Sequence, residues 1–205
     1  ERLIDSYPIL VERVYVIPQP VPLWISGSNL QLPDRDYSSN SMLNLSYPAA
    51  NYPHKNHKIL TRLSSLRCSW PISKLTLTIN ELANPAPSIS WVRCVGELNQ
   101  CDMLKLYQDS DALVFLSKEE SFGFPLVEAM YLGLPIICSD LPFARALCGD
   151  GAIYFNPDDI TSLNAAILDL KNLLIGGWRP NWHKQMRSMP KTWQETADNM
   201  IKLCV

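Results

Sequence analysis

Two glutamates eight positions apart flank a glycine where a loop enters a helix. Glu120 lies in the loop that follows the apolar run 112–116, and Glu128 lies in the helix that begins near Pro125. Gly123 lets the backbone approach a ligand closely, and the free N–H groups of the helix start form a site for an anion. Each carboxylate can accept hydrogen bonds from two hydroxyl groups. The pattern therefore favours a ligand that carries a diphosphate between two sugars.

The same residue types also have a purely structural interpretation. Gly123 and Pro125 are typical of helix capping. Glu119 and Glu120 are typical of an exposed acidic pair. Capping and solvation are the more frequent uses of such residues when the spacing is considered alone. The spacing by itself therefore leaves both interpretations open.

The loop belongs to a regular alternation of strands and helices that begins near residue 41. Strands are predicted at 42–47, 75–79, 90–95, 112–116, 134–138 and 152–155. Helices are predicted at 55–66, 101–108, 125–132, 142–147 and 160–174, with two more amphipathic helical stretches after residue 178. Such alternation implies right-handed βαβ units, which predicts an α/β fold with a Rossmann-like parallel sheet and helices on both faces. In such sheets ligands bind at the carboxyl ends of the strands, where this loop lies.

The chain of 205 residues has room for one sizeable domain and some extra segments. Residues 1–40 are rich in proline and polar side chains, and IPQPVP at 17–22 cannot form a helix or a central strand. We therefore predict three parts. These are a linker or remnant of an N-terminal domain at 1–40, a Rossmann-like domain at 41–175, and C-terminal helices at 176–205.

The composition narrows the class of protein. Hydrophobic residues make up 47% and charged residues 19% of the chain, which argues against global disorder. The net charge of −2 gives no electrostatic footprint for nucleic acid or for an anionic membrane. No apolar run approaches the ~20 residues of a membrane span, and the first residues lack the pattern of a signal peptide. We therefore expect a cytoplasmic protein with no nucleic-acid partner and no membrane span, with peripheral membrane attachment left open.

The cysteines and histidines give little support for a metal site. The six cysteines are scattered and form no Cys-x-x-Cys pair, so buried thiols in a reducing compartment are favoured over a zinc site or disulfides. His54 and His57 are spaced so that they could hold a metal, but no carboxylate or thiolate lies beside them. The metal site is therefore the less favoured interpretation of these two histidines.

The segment around the two glutamates resembles a known family. EESFGFPLVEAM at 119–130 is closely similar to the Glu-x7-Glu signature of the GT-B glycosyltransferases of family 4, the group 1 glycosyl transferases. The likeness continues from GLPIICSD at 133–140 to residue 157, and upstream it includes YPA at 47–49 and PHKNH at 53–57. It covers about residues 41–175, and it implies the C-terminal, donor-binding half of a GT-B fold.

The resemblance implies a role for each candidate site residue. Glu120 would face the transferred sugar as the catalytic residue, and Glu128 would hold the ribose hydroxyls. Lys55, at the start of a predicted helix, would pair with the diphosphate, and the alternative is a solvated lysine beside Lys58. Gly96 would line the base pocket, unless it is only a turn at the end of a strand. The remaining donor-binding positions surround the sugar and the phosphates: Ser121, Phe122, Gly123, Phe124, Pro125 and Leu126.

The reaction that the resemblance implies is transfer of a sugar from a nucleotide diphosphate sugar to a hydroxyl, with retention of the anomeric configuration. Lys55 and the helix start would stabilise the charge on the departing diphosphate. No Asp-x-Asp motif is present to carry a metal, so no metal or other cofactor is expected. Two positions depart from the family. Ala49 stands where many members carry a second phosphate-binding cation, an arginine, and Ala146 stands where many carry an acidic residue.

Only about 40 residues precede the predicted donor domain. They are too few for the second Rossmann-like domain, which carries most of the acceptor site in this family. The sequence therefore predicts a half-enzyme that binds a nucleotide-sugar donor, is inactive alone, and works with a separate N-terminal half or partner chain. The alternatives are a non-catalytic nucleotide-sugar-binding module and a degraded fragment.

Overall fold

The computed structural model describes residues 14–65 and 69–203. The first part of the predicted linker, up to residue 13, lies outside the described residues. The same holds for Leu66, at the end of the helix predicted at 55–66, and for Cys68 and Cys204.

The chain divides into two compact units. The larger consists of residues 21–188, and the smaller consists of residues 1–20 together with residues 189–205. The domain boundaries predicted at residues 40 and 175 stay a prediction. Within the described residues, no helix has the length and hydrophobicity needed to cross a membrane.

A sheet of six parallel strands forms the centre of the larger unit. The strands are β1 Leu43–Tyr47, β2 Ile72–Leu77, β3 Val92–Cys94, β4 Ala112–Phe115, β5 Ile136–Ser139 and β6 Ile153–Phe155. Their order across the sheet is β3-β2-β1-β4-β5-β6. Every residue of β4 and β5 is buried, which is the character of central strands in a sheet covered on both faces. The predicted α/β fold with a Rossmann-like parallel sheet is confirmed.

Helices connect and follow these strands. Those of the larger unit are α1 Leu23–Ser26, α2 Gln100–Asp109, α3 Phe124–Leu132, α4 Pro142–Cys148, α5 Ile160–Ile175 and α6 His183–Arg187, and the smaller unit contains α7 Trp193–Lys202. The side chain of Asn99 accepts a hydrogen bond from the N–H of Asp102 at the start of α2, and Asp159 caps α5 in the same way. Gly133 ends α3 with a φ of +77°, a conformation that glycine adopts without strain.

The segment predicted as one helix after β1 has a different form. It contains two 3₁₀ helices, Pro53–Lys55 and His57–Ser65. Asn56 separates them with a φ of +55°, a left-handed conformation that asparagine tolerates better than most residues. Its side-chain amide donates a hydrogen bond to Pro157 O at 2.9 Å, which holds this conformation. The prediction that Lys55 begins a helix is therefore wrong, because it ends a short 3₁₀ turn.

The chain leaves β1 and β4 in opposite directions. After β1 it continues to β2 on one side, and after β4 it continues to β5 on the other. Right-handed crossovers therefore place the 3₁₀ helix His57–Ser65 on one face of the sheet and α3 on the other. On their respective faces, α5 contacts that 3₁₀ helix and α4 contacts α3. The carboxyl ends of β1 and β4 thus border a crevice, which is where ligands bind in open sheets of this kind.

Candidate functional site

The loops that follow β1 and β4 meet at this crevice. The N–H of Lys118 donates a hydrogen bond to His54 O at 2.8 Å, which joins the two loops through their main chains. Tyr47, the last residue of β1, donates its hydroxyl hydrogen to Lys55 O at 2.8 Å. The same hydroxyl lies 3.2 Å from Ser117 Oγ. Main-chain and side-chain hydrogen bonds therefore fix the position of Lys55 relative to the loop after β4.

Lys55 and Glu120 form an ion pair between these loops. Lys55 Nζ lies 2.6 Å from Glu120 Oε1, and the two side chains are only 16% and 9% exposed. Because little water reaches this pair, its attraction is less screened than that of a surface ion pair. The structure thus brings together two residues for which the sequence analysis predicts separate partners, the diphosphate and the sugar. In this arrangement each residue is the counter-ion of the other.

Gly123 makes the turn into α3. Its φ of +92° lies in the left-handed region, and a Cβ at this position would lie 3.3 Å from Leu126 Cδ1. The backbone conformation therefore requires glycine, and a Cβ would also crowd the side chain of Leu126. The N–H of Leu126 donates to Gly123 O at 3.0 Å, and Pro125 has no N–H. What the first turn can offer an anion is the N–H of Phe124 and the positive end of the helix dipole, fewer donors than a helix start without proline.

The loop residues before α3 differ in exposure. Ser121 is exposed, whereas Phe122 and Phe124 are half-buried. The rings of Phe122 and Phe124 pack edge to face, with centroids 5.2 Å apart and an angle of 70° between their planes. This aromatic contact joins the two residues that flank Gly123, while Glu120 is bound to Lys55.

Gly96 lies at the same edge of the sheet but farther along it. It follows β3 with a φ of +75°, and its N–H donates to Ile79 O at 2.9 Å. A Cβ there would meet no atom within 4 Å, so only the backbone conformation requires glycine. Three strand spacings separate β3 from β4, which is about 14 Å. Its predicted contact with a base stays a prediction.

Glu128 lies inside the molecule on α3, where it is only 7% exposed. Its Oε2 accepts a hydrogen bond from the hydroxyl of Tyr107 on α2 at 2.6 Å. Burial raises the pKa of Glu128, and the bond from Tyr107 lowers it. Burial, followed by the neighbouring carboxylate, raises the pKa of Tyr107. The other carboxylate oxygen, Oε1, takes no hydrogen bond from the residues that the structure describes.

The loop after β6 joins the same edge of the sheet. Lys118 forms an ion pair with Asp158, and Arg62 Nη1 donates to Asp158 O at 2.7 Å. The side chains of Lys118 and Asp158 are 40% and 74% exposed, so water screens this pair and it adds little stability. Among the described residues, the ion pair of Lys55 at this crevice is therefore shielded from water, whereas that of Lys118 is exposed.

His57 is a buried histidine without a hydrogen-bond partner. It is 5% exposed, its ring lies 5.0 Å from the ring of Tyr47, and neither ring nitrogen bonds to any described residue. Burial lowers the pKa of His57 to about 4, and the charge of Lys55 adds to this effect. His54 is exposed instead and stacks on Tyr52 with ring centroids 5.8 Å apart.

We expect His57 to make the protein less stable in mild acid. Between pH 6.5 and pH 4 the unfolded chain binds a proton at this residue and the folded chain does not. The free energy of unfolding therefore falls by roughly 2–3 kcal/mol as the pH drops through that range. His57→Leu should lack this loss, whereas His54→Leu, at an exposed position, should keep it. Urea unfolding across the range measures the effect, and an equal pH slope in wild type and His57→Leu would contradict it.

Sequence reasoning missed three residues that shape the site: Tyr107, Ser117 and His57. Tyr107 falls on the buried side of a predicted helix, where the hydroxyl of a tyrosine requires a partner. That signal predicts a buried acceptor but not that the acceptor is Glu128. Ser117 directly follows an apolar strand, and it contacts Tyr47 because β1 and β4 are adjacent in the sheet. The roles predicted for the site residues themselves stay predictions.

A family model matches the chain over residues 88–176. Its description is "Glycosyl transferases group 1". The matched segment includes β3 to β6, Gly96 and both glutamates of the Glu-x7-Glu spacing, whereas Lys55 lies before it.

Curated relatives include two bacterial mannosyltransferases. The O-antigen chain mannosyltransferase RfbU of Salmonella typhimurium strain LT2 is 29% identical over 131 residues, which is 60% of this chain and 37% of the relative. The O-antigen chain mannosyltransferase B of Escherichia coli is 33% identical over 89 residues, 43% of this chain and 23% of the relative. The chain thus spans well under half the length of these relatives.

Solved structures share the fold at low sequence identity. A glycosyltransferase from Rickettsia africae ESF-5 superposes with a TM-score of 0.72 and 16% identity, over 98% of this chain and 59% of that one. Sucrose-phosphate synthase from Thermosynechococcus elongatus gives a TM-score of 0.59 and 17% identity, over 91% and 49% of the two chains. These are GT-B glycosyltransferase structures, and the six-stranded parallel sheet of this chain matches part of their fold.

Proposed function

We propose that this chain, which matches the model of the glycosyl transferases group 1 family over residues 88–176, belongs to that family and forms the donor-binding side of a retaining glycosyltransferase. The observation that supports this most is the ion pair of Lys55 and Glu120 at the crevice between β1 and β4. The cation that would bind phosphate and the carboxylate that would bind the sugar are in contact, with Lys55 Nζ 2.6 Å from Glu120 Oε1, in the loops that meet before the start of α3. The donor is a nucleotide diphosphate sugar.

The chemistry of sugar transfer explains why a cation and a carboxylate belong together. The bond between the anomeric carbon and a diphosphate oxygen breaks, so negative charge grows on the diphosphate while the sugar becomes cation-like. Lys55 and the N–H of Phe124 stabilise the diphosphate. Glu120, released from Lys55, stabilises and orients the sugar. The acceptor hydroxyl bonds to the same carbon on the face that the diphosphate leaves, and its proton passes to the departing diphosphate oxygen. Glu128 accepts hydrogen bonds from the ribose through Oε1.

The sugar that we propose is mannose. Both curated relatives described above are mannosyltransferases, and they are 29% and 33% identical to this chain over the matched segments. The described residues form the side of the enzyme that holds the donor. The acceptor site belongs to further residues of the kind that make these relatives longer, in this protein or in a partner chain.

We expect donor binding to be independent of metal. In the proposed site, Lys55 and the start of α3 supply the positive charge that stabilises the diphosphate, so no metal ion is needed for this purpose. Isothermal calorimetry should give the same dissociation constant with EDTA as with magnesium for nucleoside diphosphate mannose, tested with guanine, uracil and adenine as the base. The matching glucose donors serve as controls for the sugar. Binding that requires magnesium or manganese would contradict this assignment of the phosphate site.

The alternative is a module that binds nucleotide sugars without catalysis. The same ion pair and the same Glu128 would serve such a module, so binding alone does not separate it from an enzyme. The transfer experiment described in the Discussion separates them. Failure of the wild-type chain to bind any nucleoside diphosphate would exclude both functions.

A further inference from the structure

A buried hydrogen bond links the helix after β3 to the helix after β4. Tyr107 on α2 has no exposed surface, and its hydroxyl donates to Glu128 Oε2 on α3 at 2.6 Å. A phenol hydroxyl that is buried without a partner costs stability, so packing alone would favour phenylalanine at this position. Within the described residues, the only hydrogen-bond partner of this hydroxyl is Glu128, so the hydroxyl has a use at this carboxylate that a phenylalanine would not supply.

The bond determines how Glu128 can meet a ligand. The side chain of Glu128 has three rotatable bonds, and it would lose much of its affinity for a ligand if it sampled several orientations. Tyr107 holds Oε2, so the orientation of the carboxylate is set before the ligand arrives. Oε1 takes no hydrogen bond from the described residues, so it is the oxygen with unused capacity to accept from a ligand.

The bond also supports the charge of the carboxylate. Burial favours the neutral form of Glu128, and the donor from Tyr107 favours the ionised form, so the two act in opposite directions on its pKa. An ionised carboxylate accepts hydrogen bonds from both hydroxyls of a ribose, whereas a neutral acid would have to donate one. A donor on Oε2 is therefore useful for recognition of a vicinal diol.

We propose that Tyr107 is a positioning residue that orients Glu128 toward the ribose hydroxyls and so makes the site select ribonucleotides over their dideoxy analogues. This inference rests on the proposed function, because it requires that Glu128 face the ribose of a nucleotide donor. Tyr107 itself does not touch the nucleotide. Its effect reaches the ligand through the orientation of one carboxylate.

A merely structural tyrosine would behave differently. If Tyr107 only filled space between α2 and α3, its replacement would weaken the binding of every nucleotide to a similar degree. If it orients Glu128, the replacement affects only ligands that have ribose hydroxyls. The ratio of affinities for a ribonucleotide and its dideoxy analogue therefore separates the two roles, whatever the absolute affinity.

The experiment uses calorimetry on the full chain with a nucleoside diphosphate and with the same compound lacking the 2′ and 3′ hydroxyls. The base is the one that binds best to wild type. We expect Tyr107→Phe to weaken the ribonucleotide about tenfold, the loss expected for one hydrogen bond to a charged group. Its affinity for the dideoxy analogue should stay within about twofold of wild type. Tyr154→Phe is the matched control, because it removes another tyrosine hydrogen bond, the one to Gly149 O at 2.5 Å. It should change neither affinity.

Glu128→Gln supplies an independent variant of the same pair. Its amide oxygen can still accept from Tyr107, so it preserves the packing while removing the charge. We expect the same loss of ribose selectivity, and no further loss when both changes are combined, since the two residues act as one unit. If Tyr107→Phe does not fold, this variant still tests whether Glu128 contacts the ribose hydroxyls, and an unchanged ratio would overturn the role of Tyr107 that depends on that contact.

The outcomes are distinguishable. Equal losses for the ribonucleotide and the dideoxy analogue in Tyr107→Phe would overturn this inference while leaving the proposed function intact. An unchanged ratio in Glu128→Gln would overturn this inference together with the ribose contact proposed for Glu128, but not the binding of the donor through Lys55. A wild-type chain that binds no nucleoside diphosphate would overturn the proposed function and this inference with it. A selective loss of ribonucleotide affinity in both variants supports the inference.

Discussion

Replacing Lys55 with alanine should weaken the binding of a nucleoside diphosphate about 10- to 100-fold, and Glu120→Gln should strengthen it. The first effect follows from the loss of a cation that is poorly screened, because a hydrogen bond to a charged group contributes about 1.5–3 kcal/mol. The second follows from the ion pair. Glu120 Oε1 lies 2.6 Å from Lys55 Nζ, so a diphosphate must compete with this carboxylate for the ammonium group.

The strengthening is the more informative of the two effects. The separate roles predicted for these residues imply that Glu120→Gln leaves the binding of bare nucleotide nearly unchanged, because Glu120 faces the sugar. The ion pair changes that expectation. Glutamine has nearly the same shape but no charge, so Lys55 would be free for the diphosphate and affinity should rise severalfold. Sugar transfer by a complete enzyme should nevertheless fall, because the carboxylate at the reacting carbon is gone.

Calorimetry with a nucleoside diphosphate on the three variants Lys55→Ala, Glu120→Gln and Lys118→Gln measures these effects. Lys118→Gln is the control, because it removes the exposed ion pair with Asp158 at the same crevice. Its affinity should stay within about twofold of wild type if screening removes most of the interaction. Thermal unfolding must show that each variant is folded, because removing Lys55 or Glu120 leaves the largely buried charge of the other residue without its partner, which is destabilising. Weaker binding by Glu120→Gln, in a folded protein, would show that the carboxylate does not compete for Lys55.

The architecture was predictable because it depends on local patterns. The runs around β4 and β5 are short, continuous and apolar, which is the pattern of strands buried on both faces. α3 runs from Phe124 to Leu132. It has a proline in its first turn and Gly133 directly after its last residue, which are the positions where helices favour these two residue types. Such signals require no knowledge of distant residues.

Boundaries set by partners were harder to predict. The second strand is predicted at 75–79 from its own composition, but it extends over Ile72–Leu77. Its pairing with β1 determines these limits, since Leu43 lies opposite Ile72 and Tyr47 lies opposite Leu77. The 3₁₀ form of the segment after β1 has a similar origin, because the left-handed Asn56 is held by a residue more than 100 positions later.

The partners of the candidate site residues could not be predicted from the sequence for the same reason. Residue types and the resemblance identify Lys55, Glu120 and Glu128 as candidates. Their partners come from the fold: Lys55 meets Glu120 across 65 positions because β1 and β4 are neighbours, and Glu128 meets Tyr107 because α2 and α3 share a face of the sheet. Neither pairing follows from spacing along the chain. Both change what a substitution is expected to do.

The 205-residue chain by itself is expected to bind the donor and to transfer no sugar to an acceptor. The chain matches 37% and 23% of the length of the two curated relatives. In our proposal, the acceptor site corresponds to parts of these relatives that the match does not include. Holding donor and acceptor together supplies about 7–11 kcal/mol of the barrier to reaction. Without that contribution, transfer should be slower by roughly five orders of magnitude or more.

A radiolabelled-sugar assay tests this expectation in two steps. The purified chain is first given a nucleotide sugar that it binds, together with mannose-containing acceptors, and then the same mixture is supplemented with a candidate acceptor-binding half. Turnover only after the addition supports a half-enzyme, because the donor site is then shown to be competent and the missing element is the acceptor site. Glu120→Gln in the supplemented mixture is the matched control, and it should abolish turnover without abolishing donor binding. Donor binding that never leads to transfer would favour the non-catalytic module. Robust transfer by the chain alone would show that its own crevice holds both substrates, and the division into donor and acceptor halves would then be wrong.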